Sequence, residues 1–262
     1  MTAAAVLGLL IGLLLGLLGG GGSILAVPAL VYGAGLPLAS AVLTSLAVVG
    51  ISSATAVLLR LRQVRWRIAA LFGGSGAASA FAGAAVNRLL DPRLVLFGFA
   101  AVMVGAGVRM LRRQGEVNGP CAPPGGGVVW RRCVPRTVAA GLVVGFLTGL
   151  FGVGGGFVII PALVMLLGLP MTVAVPTSLV IVVLNSAAGF LAHAGDTELD
   201  YRIAGIFTLA AISGSLVAAH LAPRVPADRL RRWFAWFVFA VAAFVVVRTV
   251  SDFTWIASPG VV

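Results

Sequence analysis

The chain has 262 residues, 60% of them apolar and only 10% charged, with a mean hydropathy of +1.13 and a formal net charge of +11. A water-soluble domain needs far more polar surface, so lipid is the solvent around most of this chain and a separate soluble domain is excluded. The basic residues are all arginine and sit in short clusters between apolar runs, the pattern that encodes membrane topology rather than nucleic-acid binding.

The opening stretch 1–16 is apolar but lacks the basic start of a signal peptide, so it is expected to be retained. Apolar runs predict helices at about 4–18 and 23–34, then 38–59, 68–88 and 91–111. A Gly/Pro-rich stretch, 114–127, follows and ends in Arg131, Arg132 and Arg136. It divides the chain into a first transmembrane unit, 1–113, a cytoplasmic linker, 114–136, and a second unit, 137–262. Cys121 and Cys133 lie in that linker, too few for a disulfide framework and without metal-ligand company, and are read as ordinary loop thiols, with a redox switch as the second reading. Helices then recur at about 138–151, 156–168, 171–193, 203–221 and 227–249.

The recurrence is a duplication. Pro28 and Pro161 set an offset of 133 residues that also pairs Gly12 with Gly145, Gly16 with Gly149 and Gly19 with Gly152. It continues through Gly21/Gly154, Gly22/Gly155, Gly35/Gly168, Pro37/Pro170, Thr44/Thr177, Ser45/Ser178 and Ser53/Ser186. Loop charges orient the copies. Arg60, Arg62, Arg65 and Arg67 occupy a loop whose counterpart carries Asp196, Glu198 and Asp200. Placing the basic loops 60–67, 109–136 and 224–232 in the cytoplasm puts 193–202 outside, together with both termini. This predicts an all-α polytopic protein of two tandem inverted repeats. Each repeat has a Gly-rich broken or re-entrant hairpin plus three spanning helices.

The hairpins carry the chemistry. Gly19, Gly20, Gly21, Gly22 and Ser23 interrupt one apolar run, and Gly152, Val153, Gly154, Gly155 and Gly156 interrupt its equivalent. Irregular backbone at membrane depth persists only where protein buries it or a polar cavity receives it. The helices expected to begin at Ser23 and Phe157 would aim free N–H groups and a positive dipole end at an anion. Pro28 and Pro161 would kink those helices. Thr44, Ser45, Thr177, Ser178 and Asn185 follow on the next helix of each copy, as neutral groups able to hold an oxyanion. These residues, with Gly19–Ser23 and Gly152, Gly154, Gly155 and Gly156, form the expected substrate-binding set.

All seven carboxylates, Asp91, Glu116, Asp196, Glu198, Asp200, Asp228 and Asp252, fall in or beside predicted loops, which disfavours a cation path. His193 and His220 sit at helix ends and read as solvated boundary residues. Arg60, the counterpart of His193, is either a guide for anions at the mouth or a topology signal. No cofactor or metal site is read. The expected partners are a small anionic substrate and the lipid bilayer, with a homodimer among the assemblies allowed.

The stretches GLLIGLLLGLLGGGGSILAVPALV and GLVVGFLTGLFGVGGGFVIIPALV, each trailed by an Ala…Thr-Ser-Leu run, resemble the TauE/SafE sulfite-exporter family of bacterial permeases. The resemblance covers both halves and implies export of sulfite, a sulfonate or a related sulfur oxyanion across the inner membrane. Ser23 stands where the second copy has Gly156, so the two half-sites are not equivalent. The alternative is an intramembrane hydrolase. Gly73-Gly74-Ser75-Gly76 matches the surroundings of a rhomboid nucleophile, with His193 or His220 as base. A lipid-phosphate phosphatase would want buried carboxylates or arginines, which the sequence pattern is not expected to supply.

Overall fold

The structure, a computed structural model, describes residues 2–33, 35–87, 89–112, 121, 130–151, 156–193, 201–221 and 225–256. In the first half, α1 (Thr2–Leu18) runs into a 3-10 helix (Gly19–Leu25), the short α2 (Ala26–Pro28) and a π-helical turn (Ala29–Gly33). Then come α3 (Leu38–Leu58), a 3-10 turn (Leu61–Gln63), α4 (Trp66–Asn87) and α5 (Pro92–Arg112). The second half gives α6 (Trp130–Phe151), α7 (Gly156–Met165), α8 (Met171–His193), α9 (Tyr201–Leu221) and α10 (Ala227–Ile256). No strand occurs among the described residues. Among the described residues six stretches are long and apolar enough to cross a membrane, one on α1 and the glycine run after it and the others on α3, α4, α6, α8 and α9.

Glycines decide how these helices pack. Gly8, Gly12 and Gly16 rest on the α9 backbone around Phe207, Ala211 and Ser215. Their counterparts Gly141, Gly145 and Gly149 rest on α4 around Phe72, Gly76 and Ala80. Lipid offers apolar helices no hydrophobic drive to associate, so this close backbone approach supplies the van der Waals attraction that holds them. Each half therefore lends its first helix to the other half.

The order of contacts along each pair gives its direction. Residue numbers rise together along α1 and α9, and along α4 and α6, so each pair runs the same way. Along α3 and α8 they run oppositely, with Gly50 beside Ser186 and Gly189 beside Leu46. Thr55 and Arg60 of the α3 end meet Ser215 and Ala219, so α3 runs with α9. Arg65 and Gly73 meet Thr177 and Leu184, so α4 runs with α8. Hence α1, α3 and α9 point one way, and α4, α6 and α8 the other.

Between α1 and α3 the chain must return, and it does so from Gly19. Gly22 lies against Leu15 and the Ile11 carbonyl, and Gly33 lies against Leu7, so the return segment retraces α1. Both return segments end alike. Gly35 and Gly168 take φ of +71° and +72°, and Leu36 and Leu169 donate to the carbonyls of Leu30 and Leu163 at 3.2 and 3.1 Å. Only glycine adopts that backbone without strain, which is why it recurs at this turn.

Three expectations need correction. The first return segment does not begin as a helix at Ser23: the glycine run itself winds into the tighter 3-10 form from Gly19. Side chains that would resist such winding are missing there, and Pro28, lacking an N–H, precedes the π turn. Next, α6 starts at Trp130, eight residues before the expected 138, so 130–136 is helix rather than linker. Arg131, Arg132 and Arg136 face out while Cys133, Thr137 and Ala140 turn inward at helical spacing. Finally, Cys121 and Cys133 are not free thiols but a disulfide, with S–S 2.04 Å and Cα–Cα 5.1 Å. The extra turns of α6 carry Cys133 inward to Cys121, whose N–H reaches the Leu167 carbonyl at 3.4 Å.

Candidate functional site

The turn at Gly19 has φ +63°. A side chain there would strike Ser178 Oγ at 2.6 Å and Ile160 Cδ1 at 2.9 Å. The neighbouring residue, Gly20, lies backbone to backbone against Gly156, the first residue of α7. A Cβ on Gly156 would in turn meet the Gly20 carbonyl and, at 2.6 Å, Ser23 Oγ. Ser23 Oγ donates to the Gly20 carbonyl at 2.7 Å. The two return segments thus cross at a point where only glycine fits, with a hydroxyl on either side of it: Ser23 from one half and Ser178 from the other.

The remaining glycines are placed differently. Gly21 packs on the Phe234 ring of α10 and Gly22 on α1, so both hold the return segment in place. Gly152, Gly154 and Gly155 lie outside the described residues.

The hydroxyls keep the duplication. Ser45 Oγ and Ser178 Oγ donate at 2.8 Å to the carbonyls of Val42 and Val175, three residues back on their own helices. Their neighbours diverge. Thr177 Oγ1 accepts the Arg65 N–H at 3.2 Å, tying the loop after α3 to α8, whereas Thr44 Oγ1 is buried without a hydrogen-bond partner. Asn185 is half-buried, two turns beyond Ser178 on α8. The structure therefore joins Gly19, Gly20, Ser23, Gly156 and Ser178. No described contact brings Thr44, Ser45 or Asn185 to them.

Sequence reasoning missed the seam between α3 and α9. Thr55 and Ser215 line it, with Thr55 Oγ1 and Ser215 Oγ 3.4 Å apart. Arg60 closes its end. Far from standing free at a mouth, Arg60 is buried at 8% exposure and donates from one terminal nitrogen to the carbonyls of Ala219 at 2.8 Å and Ala218 at 3.4 Å. Burial lowers its pKa from the ordinary guanidinium value. The one signal in the sequence was a basic loop without an acid beside it.

Around Arg60 the basic loops gather at one end of the molecule. Arg67 stacks over the Trp130 ring at 5.2 Å, joining the start of α4 to the start of α6. Among the described residues the hydrolase alternative finds no constellation. Ser75 Oγ donates to the Leu71 carbonyl at 2.7 Å within the α4–α6 seam, and His220 is exposed near the end of α9.

The chain matches the family model described as Sulfite exporter TauE/SafE over residues 4–245. A probable membrane transporter protein of Xylella fastidiosa (strain 9a5c) is 36% identical over 245 residues, covering 92% of each chain. The probable membrane transporter protein YunE of Bacillus subtilis (strain 168) is 27% identical over 230 residues, covering 80% of this chain and 82% of its own. No solved structure matches. The chain belongs to the sulfite exporter TauE/SafE family and is a multi-pass membrane transporter rather than an enzyme.

Proposed function

We propose that this member of the TauE/SafE family carries a small anion outward across the inner membrane, with sulfite, a sulfonate or a related sulfur oxyanion as the substrate class. The anion is held where the return segments cross, between Ser23 and Ser178. The observation that carries this reading is the backbone contact of Gly20 with Gly156, flanked by hydroxyls drawn from both halves. Neutral hydroxyls and backbone N–H groups favour an anion there without fixing a permanent charge in lipid.

In the same reading the halves are inverted repeats with re-entrant hairpins. Equivalent helices of a two-fold repeat run antiparallel only when the axis lies across them, and the opposed directions of α3 and α8 support that arrangement. The clustering of Arg60, Arg67 and the start of α6 at one end supports placing that end in the cytoplasm, with both termini outside.

The test is anion flux in proteoliposomes, run with sulfite, sulfoacetate, thiosulfate and sulfate. Saturable flux of one sulfur oxyanion, weakened by Ser178→Ala, is the expected result. Correctly inserted protein that moves none of them rules out the substrate class.

A further inference from the structure

A buried charge needs a partner of opposite sign, which for Arg60 is sought first among the carboxylates. Among the described residues no carboxylate pairs with it, and its Nε is buried without a hydrogen bond. Capping explains part of its position, because arginine beside a helix C-terminus satisfies the last carbonyls and meets the negative end of the dipole. Yet the cap engages one terminal nitrogen only, and a helix end offers about half a unit of charge against a whole one. Leaving a charged donor desolvated and unpaired is costly, and an arriving anion would relieve that cost.

The location fits such an anion. Ala218, whose carbonyl receives Arg60, also touches Gly16, three residues before the Gly19 turn. Arg60 therefore stands beside the crossing at its basic end, and the Thr55–Ser215 hydroxyl pair lies along the same seam. The second half has His193 at the equivalent position, so this charge belongs to one half alone.

We propose that Arg60 forms a second anion site, at the basic end of the α3–α9 seam, which receives a small oxyanion before it reaches the crossing of the return segments. The proposal rests on the anion-transport reading and assigns its access side. Arg60 takes the oxyanion through Nε–H while its terminal nitrogen keeps hold of α9.

The test compares wild type, Arg60→Gln and Arg60→Lys by flux in proteoliposomes and by thermal stabilisation of the detergent-solubilised protein with sulfite and sulfate. The expected result is a rise of about tenfold in the half-saturating concentration for Arg60→Gln and a smaller rise for Arg60→Lys, with anion-induced stabilisation lost in Arg60→Gln. A purely structural clasp predicts lower maximal flux and a lower melting temperature with half-saturation unmoved. That result overturns the proposal, as does Arg60→Lys matching wild type in half-saturation if Arg60→Gln fails to insert. Wild-type stabilisation that Arg60→Gln loses, without flux of any anion, supports the site while removing the transport reading. Absence of both flux and stabilisation in wild type overturns both.

Discussion

The α3–α9 seam and its counterpart between α8 and α4 share a backbone plan but differ in chemistry. The first carries Thr55 and Arg60 on its α3 side and Ser215 on α9. At the equivalent positions of α8 the chain has Ala188 and His193. On α4, Ala80 takes the place of Ser215, since Gly149 packs on Ala80 as Gly16 packs on Ser215. Duplication preserved what packing requires: the glycine stripes, the return segments and the left-handed turns at Gly35 and Gly168. Polar groups were free to diverge, because a hydroxyl or a guanidinium can be lost from one copy without disturbing the backbone contact beneath it.

The comparison breaks most sharply at the shared crossing. Gly20→Val places a side chain into the Gly156 backbone, and overpacking of this kind costs about 1–3 kcal/mol. Flux per inserted protein should fall by up to about a hundredfold, whereas Gly74→Ala, which faces open space, should leave it unchanged. Equal flux from the two variants, measured side by side in proteoliposomes, would remove the crossing from the transport path.

A smaller effect should separate the two seams. Thr55→Val strips the hydroxyl facing Ser215 and should raise the half-saturating anion concentration by about fivefold, the value of one hydrogen bond. Ala188→Val, at the equivalent site of α8, should leave it within error. Equal shifts would mean that the halves contribute alike and that the asymmetry has no functional weight.

The smallest effect on flux belongs to Cys121 and Cys133, which are linked at the basic end, away from the crossing. Cys133→Ser should lower the melting temperature and leave half-saturation untouched, since closing a short loop contributes stability rather than recognition.

The duplication was legible because glycine, proline and hydroxyl residues recur at one offset, and the structure uses Gly12 with Gly145 and Gly35 with Gly168 in matching ways. Loop arginines foretold the gathering of basic segments at one end. Other features depended on distant partners. Whether Arg60 is exposed turns on where α9 ends, far along the chain, and its loop sequence says nothing of that. Pro135 and the surrounding arginines read as linker because the face they leave buried, Cys133 and Thr137, is short. The spacing of Cys121 and Cys133 alone does not distinguish a bonded pair from free thiols. The 3-10 and π winding of the first return segment was hidden as well, since a glycine run permits several tight conformations and packing against α1 and Phe234 selects one.

The most direct test of the central claim is chemical access to Ser178 itself. In a background with Cys121 and Cys133 replaced by serine, Ser178→Cys should react with a water-soluble thiol reagent, and a transported sulfur oxyanion should slow that reaction in proportion to its occupancy. A labelling rate indifferent to every transported anion would contradict the claim that substrate rests where the two return segments cross.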